Sequence, residues 1–137
     1  MARRAVNRLP FDDRAFQYGE IYKIKDSLIV FPEAQYVKRT SHDTRLVCII
    51  HHCKANSDPR AWVINVAPLS TKIEYKRDTD LEIYPNNENH IDKVSLIRLG
   101  CAQPVLKIDL EGPVGNLSRE ELLQLTGLQI MLTGVEL

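Results

Sequence analysis

The chain has 137 residues, 44% hydrophobic and 26% charged, with 18 Lys and Arg balanced by 18 Asp and Glu. That length fits one domain with a real core, and no apolar run approaches the roughly 20 residues that span a bilayer. Three cysteines, Cys48, Cys53 and Cys101, are too few and too unpatterned for a disulfide framework.

The opening, MARRAVNRLPFDDRAF, is basic and polar and lacks the apolar centre of a secretory signal, so the expected location is cytoplasmic. Residues 1–18 read as an N-terminal extension and 19–137 as a single domain. GEIYKI (19–24) alternates after a glycine and predicts a strand; SLIVF (27–31) pairs with it or extends it. EAQYVKRTSHDT (33–44) is a polar loop or hairpin arm. LVCII (46–50) predicts a buried strand, HHCKANSDPRA (51–61) a loop, and WVINVAPL (62–69) a strand ended by Pro68. KIEYKRD (72–78) alternates weakly. LEIYP (81–85), KVSLIRLGC (93–101) and PVLKIDL (104–110) read as further strands.

The pattern then changes. NLSREELLQLTGLQIMLT (116–133) carries a capping box, with Ser118 as N-cap and Glu121 three positions later, and Leu122, Leu125, Gln129 and Leu132 recur at helical spacing. Many short strands followed by one helix predict a mainly β chain, a small bent sheet or barrel with a C-terminal helix.

Charge is uneven along the chain. Residues 1–60 hold eleven Lys and Arg against seven Asp and Glu, and residues 61–137 hold seven against eleven. A basic face for an anionic ligand is one reading, and ordinary surface variation is the other. His51 and Cys53 lie two apart at a strand end and could share a metal, but His42 and His90 stand alone and supply no second pair. There is no Gly-rich phosphate loop, HExxH or GxSxG. Arg45 opens one strand and Ser70-Thr71 closes the next, so an antiparallel pairing brings a guanidinium and a hydroxyl to one rim, a candidate anion site.

From Gly19 to the C-terminus the motifs occur in the order found in the MazF/PemK (Kid) toxin endoribonucleases, which the chain resembles. GEIYKI is similar to the family's opening strand, RLVCII to its Arg-Pro-Val-hydrophobic segment, PLST (68–71) to Pro-Leu-Thr-Ser, CAQPVLKID (101–109) to Gln-Pro-Arg-Thr-Ile-Asp, and GNLSREELLQL (115–125) to its ending. The resemblance implies a small SH3-like barrel (MazF/PemK/CcdB-like) with a C-terminal α-helix, a homodimer, and an antitoxin protein as partner. It implies metal-independent, cofactor-free cleavage of single-stranded RNA, by 2′-hydroxyl attack that leaves a 2′,3′-cyclic phosphate. Arg45 and Ser70 take the catalytic arginine and threonine positions; Lys38, Arg39, Thr71, Gln103 and Tyr36 become RNA-binding candidates, the last by base stacking. Leu46 stands where the family has proline and Ser70 where it has threonine; Gly100, Ala102 and Val105 replace charged positions around Gln103. A non-catalytic barrel that binds RNA or a protein is the alternative reading.

Overall fold

The computed structural model describes residues 9–38 and 41–136. Seven strands, β1 (Glu20–Lys25), β2 (Thr44–Ile49), β3 (Val63–Ser70), β4 (Asp80–Ile83), β5 (Ser95–Arg98), β6 (Gln103–Leu106) and β7 (Glu111–Asn116), precede one helix, α1 (Arg119–Leu132). All pairings are antiparallel. The sheet runs β4-β5-β3-β2-β1-β7, and β6 joins it through β3.

Both faces of this sheet are covered, which explains the near-continuous apolar runs. On one face Tyr22, Ile24, Val47, Ile49, Ile64 and Val66 pack with Phe16, Ile29 and Phe31. On the other, Ile21, Cys48, Ala67 and Leu69 pack with Leu117 and Leu125 from the helix end of the chain. Along β1, β2 and β3 inward residues divide between the two clusters, as the pleat requires.

The helix is fixed at its start. Ser118 Oγ accepts the Glu121 N–H at 3.2 Å, and the Ser118 N–H donates to Glu121 Oε1 at 2.9 Å. The same buried carboxylate accepts Asn86 Nδ2 at 3.1 Å and Asn89 Nδ2 at 3.0 Å. Thus the capping box also ties α1 to the turn after β4. Gly115 on β7 lets that turn approach: a Cβ there would stand 2.2 Å from the Asn89 carbonyl oxygen.

Several sequence expectations change, and the strands read at 93–101 and 104–110 shorten to β5 and β6, each followed by a 3-10 turn. SLIVF is not a strand; Asp26–Leu28 is a 3-10 turn, and Asp26, Ile29 and Phe31 turn inward. Pro68 lies within β3, not after it, between the stretch that pairs with β6 and the stretch that pairs with β5. That gap in the ladder is where a missing N–H costs least. EGPVGN forms β7, an edge strand bonded to β1 alone, which the glycines and proline conceal. Finally, residues 11–18 are not set apart from the domain. Phe16 is buried in the first cluster, Phe11 packs edge-on against Trp62, and Arg14 donates to the Lys107 and Leu110 carbonyls.

Candidate functional site

β2 and β3 pair Val47 with Pro68, Cys48 with Ala67 and Ile49 with Val66. Continuing this register by two residues puts Arg45 opposite Ser70, and Arg45 Nη1 donates to the neighbouring Leu69 carbonyl at 2.8 Å. Arg45 also pairs with Ile24 on β1, and Ser70 with Leu96 on β5. Cross-strand partners share a face, so one row across four strands carries both candidate residues.

The guanidinium is held firmly. Arg45 Nε donates to Asp26 Oδ1 at 2.7 Å, and the guanidinium carbon lies 4.9 Å from the centre of the Phe31 ring. The Arg45 side chain is 10% exposed and that of Asp26 is 2% exposed. The expected open rim is therefore half closed, because the first residue after β1 brings a carboxylate against the arginine. Nη2 donates no hydrogen bond to a described residue. Ser70 Oγ accepts the Lys72 N–H at 3.2 Å, which leaves the hydroxyl hydrogen to donate.

The other candidates divide. Tyr36 is 89% exposed, and Lys38 and Thr71 are exposed as well. Arg39 lies outside the described residues. Gln103 uses its carboxamide on backbone: Nε2 donates to the Val30 and Cys101 carbonyls at 3.0 and 2.9 Å, and Oε1 accepts the Val30 N–H at 2.9 Å. It pins the β1–β2 connection to the start of β6.

Sequence reasoning missed several neighbours. Phe31 is hidden in an apparent strand, and Asp26 stands just before it. Arg98 on β5 forms ion pairs with Glu33 at 3.3 Å and Asp80 at 3.7 Å, and its guanidinium carbon lies 5.8 Å from the Phe31 ring centre. Glu33's own backbone N–H holds its carboxyl below the usual range, despite partial burial, and the Arg98 charge adds to this. Directly after Ser70, the β3–β4 connection exposes Lys72, Lys76 and Arg77 around Tyr75, which is 70% exposed. A basic run interleaved with an aromatic, just past PLST, was the available signal.

At the opposite end of β2, His51 and Cys53 do meet, with Sγ 3.5 Å from Nδ1. His51 Nε2 accepts the Asn65 N–H at 3.2 Å, so the neutral ring carries its proton on Nδ1. A metal on Nδ1 would move that proton to Nε2, against the Asn65 N–H. No group of three or more possible metal-binding side chains occurs among the described residues. Burial pushes the His51 pKa down, in keeping with a neutral ring. A shallow cleft of about 510 Å³ opens nearby, lined by His52, Cys53, Lys54, Ser57, Asp58 and Pro59.

No helix among the described residues is long and apolar enough to cross a membrane. No protein-family model matches the sequence, and no curated protein matches it. Solved structures do. The Mycobacterium tuberculosis toxin MazF-mt6 superposes with a TM-score of 0.63 at 15% identity, over 86% of this chain and 99% of that one. A second toxin structure, described as an Mtb toxin, superposes with a TM-score of 0.52 at 20% identity, over 61% of this chain and 87% of that one. The chain therefore has the fold of the MazF toxins, mainly β with a C-terminal helix.

Proposed function

We propose that this protein is a toxin endoribonuclease that cleaves single-stranded RNA without a metal, and that an antitoxin protein restrains it in a type II toxin–antitoxin pair. One observation carries the reading: within a MazF toxin fold, the Arg45 guanidinium and the Ser70 hydroxyl stand at the same end of the β2–β3 pair, on one face. In the proposed reaction a ribose 2′-oxygen attacks the adjacent phosphorus. The 2′-hydroxyl gives up its proton to solvent, the P–O5′ bond breaks, the 5′-oxygen takes a proton from solvent and leaves as a hydroxyl, and a 2′,3′-cyclic phosphate remains. Arg45 Nη2 and the Ser70 O–H are the donors proposed for the phosphorane oxygens, where charge develops. Asp26 and the Leu69 carbonyl hold the guanidinium still, so little reorganisation is needed at the moment of reaction. Tyr36 and Lys38 from the β1–β2 connection and Thr71, Lys72, Tyr75, Lys76 and Arg77 from the β3–β4 connection supply exposed aromatic, polar and basic contacts for the strand. Cytoplasmic location and homodimerisation belong to the same proposal.

A non-catalytic barrel that binds RNA or protein is favoured by a different observation, the internal pairing of Arg45 with Asp26 at low exposure. The two readings separate on one assay. Purified protein incubated with a mixed single-stranded RNA pool and EDTA is expected to cut it. Binding without cutting would give the second reading precedence, and cleavage abolished by EDTA and restored by zinc would overturn the metal-free mechanism.

A further inference from the structure

Arg45 and Arg98 flank the same Phe31 ring, at 4.9 and 5.8 Å from its centre. Arg98 lies two residues beyond Leu96, the cross-strand partner of Ser70, and so faces the same side of the sheet. The two guanidiniums are held differently. Arg45 has short bonds to inner partners, Asp26 and the Leu69 carbonyl. Arg98 is attracted from within by Asp80, its partner across β4 and β5, yet Asp80 Oδ1 is buried with no hydrogen-bond partner and stands 3.7 Å from Arg98 Nε. The outer partner of Arg98 is Glu33, at 3.3 Å, with a side chain 34% exposed on the 3-10 turn Pro32–Gln35. Asp80 thus holds Arg98 by charge without closing a hydrogen bond on it, and Glu33 can swing into solvent.

We propose that Arg98 is the exchangeable half of a two-arginine phosphate site, and that Glu33 is the carboxylate an RNA phosphate displaces from it. The proposal rests on the RNA-cleavage reading and names a further substrate contact for it. A phosphodiester matches a carboxylate in charge and in the pairs of oxygens it offers to a guanidinium fork. Replacing Glu33 with a phosphate therefore leaves the local charge unchanged.

The test is binding of a dye-labelled 2′-O-methyl oligoribonucleotide pool, which cannot be cleaved because the nucleophile is blocked, over a salt series. Each lost phosphate contact on a single strand lowers the slope of log K against log salt by about 0.7. Arg98→Gln is expected to lose about that much slope, and Arg98→Lys to keep it. Glu33→Gln is expected to tighten binding about two- to fivefold, the scale of releasing a partly exposed ion pair. The double variant Asp80→Asn with Arg98→Gln removes the buried carboxylate together with its cation; with a wild-type melting temperature, it should show the same slope loss. A wild-type slope in either variant lacking Arg98, or unchanged or weaker binding by Glu33→Gln, overturns the proposal while leaving the Arg45–Ser70 reading intact. Absence of RNA binding by the wild type overturns both.

Discussion

Arg45 serves the fold and the proposed chemistry with the same atoms, and this decides which substitutions are informative. Arg45→Ala takes from the buried Asp26 carboxylate one of its partners and so costs stability as well as chemistry. Lost activity in that variant would be confounded with lost fold. Ser70 is the cleaner probe. Its hydroxyl accepts one N–H near the surface, so Ser70→Ala should cost about 1 kcal/mol in a urea titration while cleavage falls about a hundredfold. Ser70→Thr keeps the hydroxyl and should remain active. His51 provides a test by pH. Its folded pKa is lowered by burial, so below about pH 6.5 the unfolded chain binds a proton that the native ring resists. Stability is therefore full above that pH and falls as pH drops towards the folded pKa. His51→Gln should flatten the part of the urea-midpoint change between pH 7.5 and 5.5 that comes from this ring.

At the scale of elements, Glu121 joins the helix to the sheet. It accepts the Ser118 N–H and the Asn86 and Asn89 carboxamides with one buried carboxylate. Glu121→Ala strands three donors and should cost at least about 2 kcal/mol, with faster amide exchange through α1 and residues 84–90. The helix was readable from sequence because its determinants are local: a capping box and a leucine period. β1, β2 and β3 were readable for the same reason. The connection at 26–38 was not, since Ser27–Phe31 has a strand's composition and its true shape depends on Asp26 reaching Arg45, nineteen residues away. β7 was concealed by Gly112, Pro113 and Gly115, which an edge strand tolerates, and Gly115 here admits the 84–90 turn. In the site, motif order pointed to Arg45 and Ser70. Phe31, Asp26 and Arg98 enter only through packing between segments distant in sequence, and the bonds of Gln103 to the Val30 backbone, 73 residues away, leave no local signal.

On the scale of the whole molecule, the sheet is covered on both faces, yet the C-terminal end of α1 and the residues after it leave Ile130, Met131, Leu132 and Val135 exposed, with Leu123 exposed earlier in the helix. Apolar side chains exposed at one end of a small domain are a natural place for a partner. A second copy of the chain should cover it, and light scattering at micromolar concentration is expected to report a dimer that Met131→Glu weakens. The central claim, however, is chemical: the Arg45–Ser70 rim directs a 2′-oxygen onto phosphorus. Phosphorus NMR of the products from a single-stranded RNA cut in EDTA tests it most directly. The predicted spectrum contains the 2′,3′-cyclic phosphate resonance and no 5′-monophosphate. A 5′-phosphate with a 3′-hydroxyl would mean that water, not the ribose, is the nucleophile, and would contradict the account.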